Sequence, residues 1–176
     1  GCCEKYIILG VSYIWVYQKG LDVFIELSKR LDDKYKIVLV GTNEEIDAQL
    51  PENILSIHKT ANQAELAEIY SSADLFLNPT REDTFPTVNM EALACGTPVI
   101  TFRTGGSPEM LDETCGAVVP CDDTEAFRNE ILRICEERPF TREQCLRKAA
   151  AFDQNHKYKE YIELYERVNA SRDQGN

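Results

Sequence analysis

Short apolar, β-rich runs alternate along this chain with segments of helical period, and that alternation leaves few folds open to it. The runs are Tyr6 to Leu9, Ile37 to Val40, Ile54 to Ile57, Leu75 to Leu77, Val99 to Phe102 and Ala117 to Val119. They predict six strands. Their residues are almost all apolar instead of alternating with polar ones, the pattern of strands covered on both faces. Between them, Leu21 to Leu31, Asn43 to Leu50, Asn62 to Ser72, Pro86 to Cys95 and Pro108 to Leu111 carry helical periodicity. The expected fold is α/β: a Rossmann-like, doubly wound parallel six-stranded sheet with helices on both faces. Three further helices are expected at about Asp123 to Glu137, Thr141 to Phe152 and His156 to Val168, followed by a frayed tail over residues 169–176. With 176 residues and 43% hydrophobic content, residues 1–168 suit one domain with a single sizeable core.

In sheets of this kind ligands bind beyond the carboxyl ends of the strands. That rule singles out five segments: Gly10 to Gly20, Gly41 to Glu45, His58 to Asn62, Asn78 to Pro86 and Arg103 to Pro108. The richest in polar and turn-forming residues is Asn78 to Pro86, which feeds a helix with Pro86 near its first position, where a missing N–H costs little. Glu91 follows about a turn and a half into that helix, beside the small apolar Ala92-Leu93-Ala94-Cys95-Gly96. It is read either as a solvated or capped glutamate or as a bidentate acceptor for neighbouring hydroxyls such as a ribose diol. Lys19-Gly20 stands at the start of a helix, where an ammonium adds to the positive end of the dipole. It is either an exposed lysine or part of an anion site. Thr104-Gly105-Gly106-Ser107-Pro108-Glu109 reads as a flexible turn with a Ser cap and a second set of backbone amides. His58 at the end of the third strand reads as a satisfied surface histidine.

Charge excludes some partners. The 19 basic against 30 acidic residues give a net charge of -11, which repels nucleic acid and anionic membranes. A phosphate ligand would need local devices, a lysine or a helix N-terminus. The seven cysteines have core-like neighbours, as in Leu93-Ala94-Cys95, and the two histidines, His58 and His156, are far apart. A reducing compartment and no metal site are expected. No run approaches the roughly 20 apolar residues of a membrane span, and no signal peptide is legible. A soluble, cytoplasmic protein is expected, with sequence missing upstream of Gly1.

The run Glu82-Asp83-Thr84-Phe85-Pro86-Thr87-Val88-Asn89-Met90-Glu91-Ala92-Leu93-Ala94-Cys95-Gly96-Thr97-Pro98-Val99-Ile100, followed by Gly105-Gly106 and Glu109, resembles the C-terminal domain of GT-B glycosyltransferases, specifically glycosyltransferase family 4. The likeness extends from about Lys5 through Val168. The family carries two acidic residues eight positions apart around this strand-to-helix turn, a spacing that selects Asp83 and Glu91. The resemblance implies that Glu91 binds ribose hydroxyls and that Asp83 lies beside the transferred sugar. It further implies that Thr84, Phe85, Pro86, Thr87 and Val88 form the turn meeting sugar and diphosphate, that Lys19 binds the diphosphate as a catalytic cation, and that Lys59 and Thr60 edge the base. The implied reaction is retaining transfer of a sugar, of the hexosyltransferase type, from a nucleoside-diphosphate donor to an acceptor hydroxyl. No metal or other cofactor is implied, because a cation and helix N-termini stabilise the leaving diphosphate. The acceptor side comes from a separate N-terminal domain absent from this chain, through which any peripheral membrane association would run. The isolated domain is expected to bind donor without completing transfer, and family habit points to polysaccharide assembly.

The chain also departs from the family pattern. Asp83 is one methylene shorter than the usual Glu, Thr84 and Pro86 replace common glycines, and Ser12 and Gln18 stand where relatives carry arginine. Weaker diphosphate binding is the expectation. A dinucleotide oxidoreductase would need GxGxxG after the first strand, which Gly10-Val11-Ser12-Tyr13 does not supply. A phosphate-accepting receiver would need an aspartate where Ile57-His58-Lys59 stands. The remaining rival is a domain of this fold that binds a nucleotide sugar or a protein partner without catalysis.

Overall fold

A computed structural model describes residues 5–152 and 159–173. Six strands, β1 (Tyr6–Val11), β2 (Tyr35–Val40), β3 (Ile54–Ile57), β4 (Leu75–Asn78), β5 (Val99–Phe102) and β6 (Gly116–Val119), form one sheet in the order β3-β2-β1-β4-β5-β6. Every pairing is parallel, from Tyr6 opposite Tyr35 on one side to Phe102 opposite Val119 on the other. The order reverses between β1 and β4, and such a switch point opens a crevice at the carboxyl ends of the two strands.

Among the described residues seven α-helices cover the sheet: α1 (Leu21–Arg30), α2 (Glu44–Asp47), α3 (Gln63–Ser72), α4 (Thr87–Ala94), α5 (Thr124–Glu137), α6 (Arg142–Phe152) and α7 (Lys159–Asp173). Leu9, Val38, Val40 and Phe76 point into a core shared with α3, α4, α6 and α7. Their neighbours Ile8, Leu39, Leu75 and Leu77 point into the opposite core, against Phe24 of α1 and Phe127 of α5. Both faces being covered is the physical reason for the unbroken apolar runs. The predicted core setting of the cysteines holds for Cys95 and Cys135, which are both buried.

Helix starts follow side-chain caps where the chain offers them. Asn62 accepts from the Glu65 N–H at 2.9 Å, and Asn43 accepts from Ile46 at 2.9 Å. Three expectations are corrected. The segment Pro108 to Leu111 forms a single 3-10 turn, Ser107–Met110, instead of an α-helix. Ser107 is no cap: it lies inside that turn, fully buried, with its Oγ unpartnered. Burial overrode its capping propensity. The expected fraying from residue 169 is replaced by helix through Asp173, because Asn169 to Asp173 hold no breaker before Gly175. His156 lies outside the described residues.

Candidate functional site

The loop after β1 begins at Ser12 and is pinned by Trp15, whose buried indole Nε1 donates to the Val40 carbonyl at 3.0 Å and whose ring meets Phe24 edge-on. It ends in a 3-10 turn, Tyr17–Lys19, and a left-handed Gly20 that starts α1. The loop after β4 runs from Pro79 to Pro86, and α4 starts at Thr87 with Pro86 as its extended N-cap. These loops flank the switch point, and a cleft opens between them.

The cleft has two neighbouring chambers. The larger holds about 250 Å³ and is lined by Lys19, Asp83, Phe85, Pro86, Thr87 and Val88, with Trp15 and Asn78. The smaller holds about 120 Å³ and is lined by His58, Lys59, Thr60, Leu66 and Glu91. Val11, Ser12, Tyr13 and Val88 belong to both walls. Residues picked from distant parts of the chain therefore meet in one place. Thr84 is the exception. It is exposed, lines neither chamber, and turns its backbone toward Gly106.

Lys19 and Asp83 form an ion pair, Nζ to Oδ2 at 3.1 Å, with the side chains 31% and 22% exposed. The other carboxylate oxygen, Oδ1, accepts from the Phe85 N–H at 3.1 Å, an Asx turn that fixes the carboxylate against its own loop. Behind it, the Gly105 and Gly106 backbones lie against the carbonyls of Asp83 and Thr84. A Cβ on either glycine would stand 1.8 Å and 2.2 Å from those oxygens. Gly105 also has a φ of +50°. The paired glycines thus let two loops touch backbone to backbone, and the Gly106 N–H donates to the Asp83 carbonyl at 3.4 Å. This corrects the reading of that turn as a second set of free amides.

Glu91 is held from the core. The Tyr70 hydroxyl donates to its Oε2 at 3.0 Å. Tyr70 is fully buried, and burial together with the carboxylate pushes its phenol well above the usual range, so it stays a neutral donor. Burial and the same carboxylate also raise Tyr161, a buried phenol of α7. Glu91 is therefore neither simply solvated nor a helix cap. His58 is satisfied as read: its Nε2 lies 2.6 Å from Asp47 Oδ2. Asp47 also accepts from Ser56 at 2.5 Å. These bonds, Ser56 first and then His58, lower the Asp47 pKa.

Three supports were missed in the sequence: Tyr70, Trp15 and Arg81. Tyr70 and Trp15 read as core aromatics, and nothing local shows where their polar atoms reach. Arg81 reads as one more charge in a polar loop. Among the described residues no three His, Cys, Asp or Glu side chains gather as a metal site, and no helix is long and apolar enough to cross a membrane.

Residues 5–137 match the family model described as glycosyl transferases group 1. The chain belongs to that family. Among relatives in the group, an N,N'-diacetylbacillosaminyl-diphospho-undecaprenol alpha-1,3-N-acetylgalactosaminyltransferase from Campylobacter jejuni is 24% identical over 172 residues, 94% of this chain and 46% of the relative. A D-inositol 3-phosphate glycosyltransferase from Saccharomonospora viridis is 39% identical over 71 residues, 40% of this chain and 16% of that protein. The fold matches HepE from Anabaena, solved with UDP-glucose, with a TM-score of 0.73 at 16% identity over 95% of this chain and 49% of HepE. It also matches sucrose-phosphate synthase from Thermosynechococcus elongatus, with a TM-score of 0.75 at 24% identity, covering 96% of this chain and 47% of the synthase. The chain spans about half the length of the relatives it matches along most of its own length. The GT-B resemblance and the doubly wound fold are both borne out.

Proposed function

We propose that this chain is the donor-binding half of a retaining glycosyltransferase, one that carries a sugar from a nucleoside diphosphate to an acceptor hydroxyl. The observation that carries the reading is the two-chambered cleft, with Glu91 in one chamber and the Lys19–Asp83 pair in the other. The nucleoside lies in the smaller chamber, its base edged by Lys59 and Thr60 and its ribose diol accepted by Glu91. The diphosphate and sugar lie in the larger one, against Phe85, Pro86, Thr87 and Val88. Thr84 serves through its loop.

In the transfer step the bond between the anomeric carbon and the diphosphate oxygen breaks, and the acceptor oxygen bonds to the same face. The acceptor proton leaves with the diphosphate. Charge builds on the departing oxygen, and a preset cation there lowers the barrier without reorganising water. Lys19 supplies that cation, helped by the N-terminus of α4, so no metal is required. Asp83 orients the sugar hydroxyls. Its ion pair with Lys19 must open or be shared when a diphosphate arrives.

The acceptor is bound by a second domain of similar fold, so this chain alone binds donor without completing transfer. The Campylobacter relative, named for action on a sugar linked to undecaprenol diphosphate, supports polysaccharide assembly as the setting. Buried thiols at Cys95, Cys115, Cys135 and Cys145 suit a reducing, cytoplasmic location.

Calorimetric titration of the 176-residue chain with UDP, GDP, ADP and their common sugar conjugates, with and without magnesium, tests the reading. Saturable binding of one nucleotide, unchanged by magnesium, is expected. Binding of none would overturn donor binding by this chain. Binding without transfer by the two-domain protein would leave the non-catalytic reading in its place.

A further inference from the structure

Lys19 rides on a turn that the core touches only through the buried Thr80, whose hydroxyl donates to the Gln18 carbonyl at 3.4 Å. No residue of Tyr17–Lys19 is buried, and no side chain caps the turn. A lysine side chain gives up rotamer entropy when it is fixed, and a loose turn beneath it would add backbone entropy to the cost of meeting an anion.

The shorter and more numerous bonds to the turn come from Arg81, on the loop that also carries Asp83. The Arg81 N–H donates to the Gln18 carbonyl at 2.8 Å. Its guanidinium Nη1 donates to the Tyr17 carbonyl at 2.6 Å, and its Cζ lies 3.9 Å from the centre of the Tyr17 ring. Nη1 and Nη2 fork onto Asp22 in the first turn of α1 at 2.8 and 2.9 Å. Nε donates to Asp122, beyond β6, at 2.6 Å. One side chain, 11% exposed, thus ties together the loops after β1, β4 and β6. Asp122 adopts a φ of +65°, a left-handed conformation that costs energy for a non-glycine residue and persists where its surroundings enforce it.

Two carboxylates face this one cation, and their hydrogen bonds, Asp22 first, raise its pKa further. The guanidinium charge is therefore spent inside the protein. Its planar fork is the feature in use, and a lysine cannot reproduce it.

We propose that Arg81 is a positioning residue for Lys19: it locks the turn that carries the ammonium against the loop that carries Asp83. The functional half of the proposal, presetting the cation for a diphosphate, rests on the donor-site reading above. The structural half does not.

Arg81→Lys and Arg81→Ala in the full chain test both halves. The Lys19 and Gly20 amides donate to Val16 and Tyr17 within the turn at 2.9 and 3.0 Å, so their hydrogen exchange reports its opening. Both variants should exchange these two amides about tenfold faster, with amides of α4 unchanged as the control for folding. If Arg81→Ala fails to fold, Arg81→Lys carries the measurement. In titrations, UDP, GDP or ADP should lose about tenfold in affinity while uridine, guanosine and adenosine lose none. In a Lys19→Ala background Arg81→Lys should cost nothing further, the non-additivity of a residue that acts through another. Unchanged exchange at Lys19 and Gly20 would overturn the proposal. So would equal losses for diphosphate and nucleoside, or an undiminished loss in the Lys19→Ala background, since both assign Arg81 to general stability. Failure of the unsubstituted chain to bind any nucleotide would count against the donor reading, and the exchange rates would still decide whether Arg81 holds the turn.

Discussion

Glu91 and the Lys19–Asp83 pair stand in adjoining chambers of one cleft, yet they are held by opposite means. Glu91 grows from α4, whose Met90, Ala92, Leu93 and Ala94 are fully buried, and its carboxylate is met by a phenol rising from the core. Lys19 and Asp83 both sit on loops, and what fixes them is contact between loops: the Arg81 clasp on one side and the Gly105–Gly106 backbone on the other. A helix-borne group inherits the rigidity of the core. A loop-borne group needs its own scaffold, built from hydrogen bonds and close backbone approach, and one substitution can undo it. The comparison predicts where the site breaks first.

The largest effect is expected at Gly105. An alanine there would place its Cβ 1.8 Å from the Asp83 carbonyl while holding a φ of +50°. Strain and clash together should cost roughly 2 to 4 kcal/mol of stability. Denaturant midpoints measure this, and diphosphate affinity should fall more than nucleoside affinity. A wild-type midpoint would mean that the loop yields freely, and the contrast between the two chambers would dissolve.

Next comes Glu91. Glu91→Ala should lose roughly 1.5 to 3 kcal/mol of nucleotide affinity. On sequence grounds alone it should leave folding intact. The structure revises that expectation, because the buried Tyr70 hydroxyl loses its acceptor, a stability cost of about 1 to 3 kcal/mol. Glu91→Gln keeps an acceptor for Tyr70 and should recover most of the stability but not the affinity. Equal stability of the two variants would show that Tyr70 does not depend on Glu91.

Lys19→Ala should weaken nucleoside diphosphates by about 1 to 2 kcal/mol and leave bare nucleosides unchanged. The ammonium is 31% exposed, so screening trims a charge-assisted bond toward the lower end. Asp83→Asn should act in the opposite direction on nucleoside diphosphates, tightening them by about threefold, because it frees Lys19 and removes a negative charge beside the phosphates. Transfer by the two-domain protein should nevertheless fall. Titration of both variants with the same nucleotides gives the signs, and a matching sign would mean that the pair does not compete with the ligand.

The same contrast explains what could be read in the sequence. The strands were legible because both faces are buried, so each is an unbroken apolar run bounded by turn residues. Asp83 and Glu91 were legible as a pair only through the family resemblance, whose spacing of eight selects them, and the structure brings them to one cleft with Lys19, Lys59 and Thr60. The supports were not. Arg81 reaches partners 59 and 41 residues away in the chain, and Tyr70 meets Glu91 across 21 residues between two helices. No local rule encodes such pairings. Ser107 shows a local rule failing outright: a serine followed by proline before a helical segment looks like a cap, but burial took it into the turn instead. The paired glycines were noticed, yet their reason, the carbonyls of Asp83 and Thr84, lies in a loop more than twenty residues earlier.

The smallest effect is expected on the wall of the smaller chamber and is set by pH. Asp47 accepts from Ser56 and from His58 Nε2, which together hold its pKa below the ordinary value of 3.8. A carboxylate depressed in the folded state releases its proton more readily there than in the unfolded chain. Its contribution is therefore fully present above the ordinary carboxylate range and is lost as the pH falls through the lowered folded value. His58 is exposed and Asp47 is only half-buried, so solvent screening keeps the effect small. Denaturant midpoints followed from neutral pH down through the carboxylate range should show wild type more stable than Asp47→Asn, with the gap closing on acidification. A gap that stayed constant would mean that the bonds act without regard to charge. The Asp47–His58 contact would then hold that wall as a hydrogen bond and not as an ion pair, much as the neutral Tyr70 phenol holds Glu91.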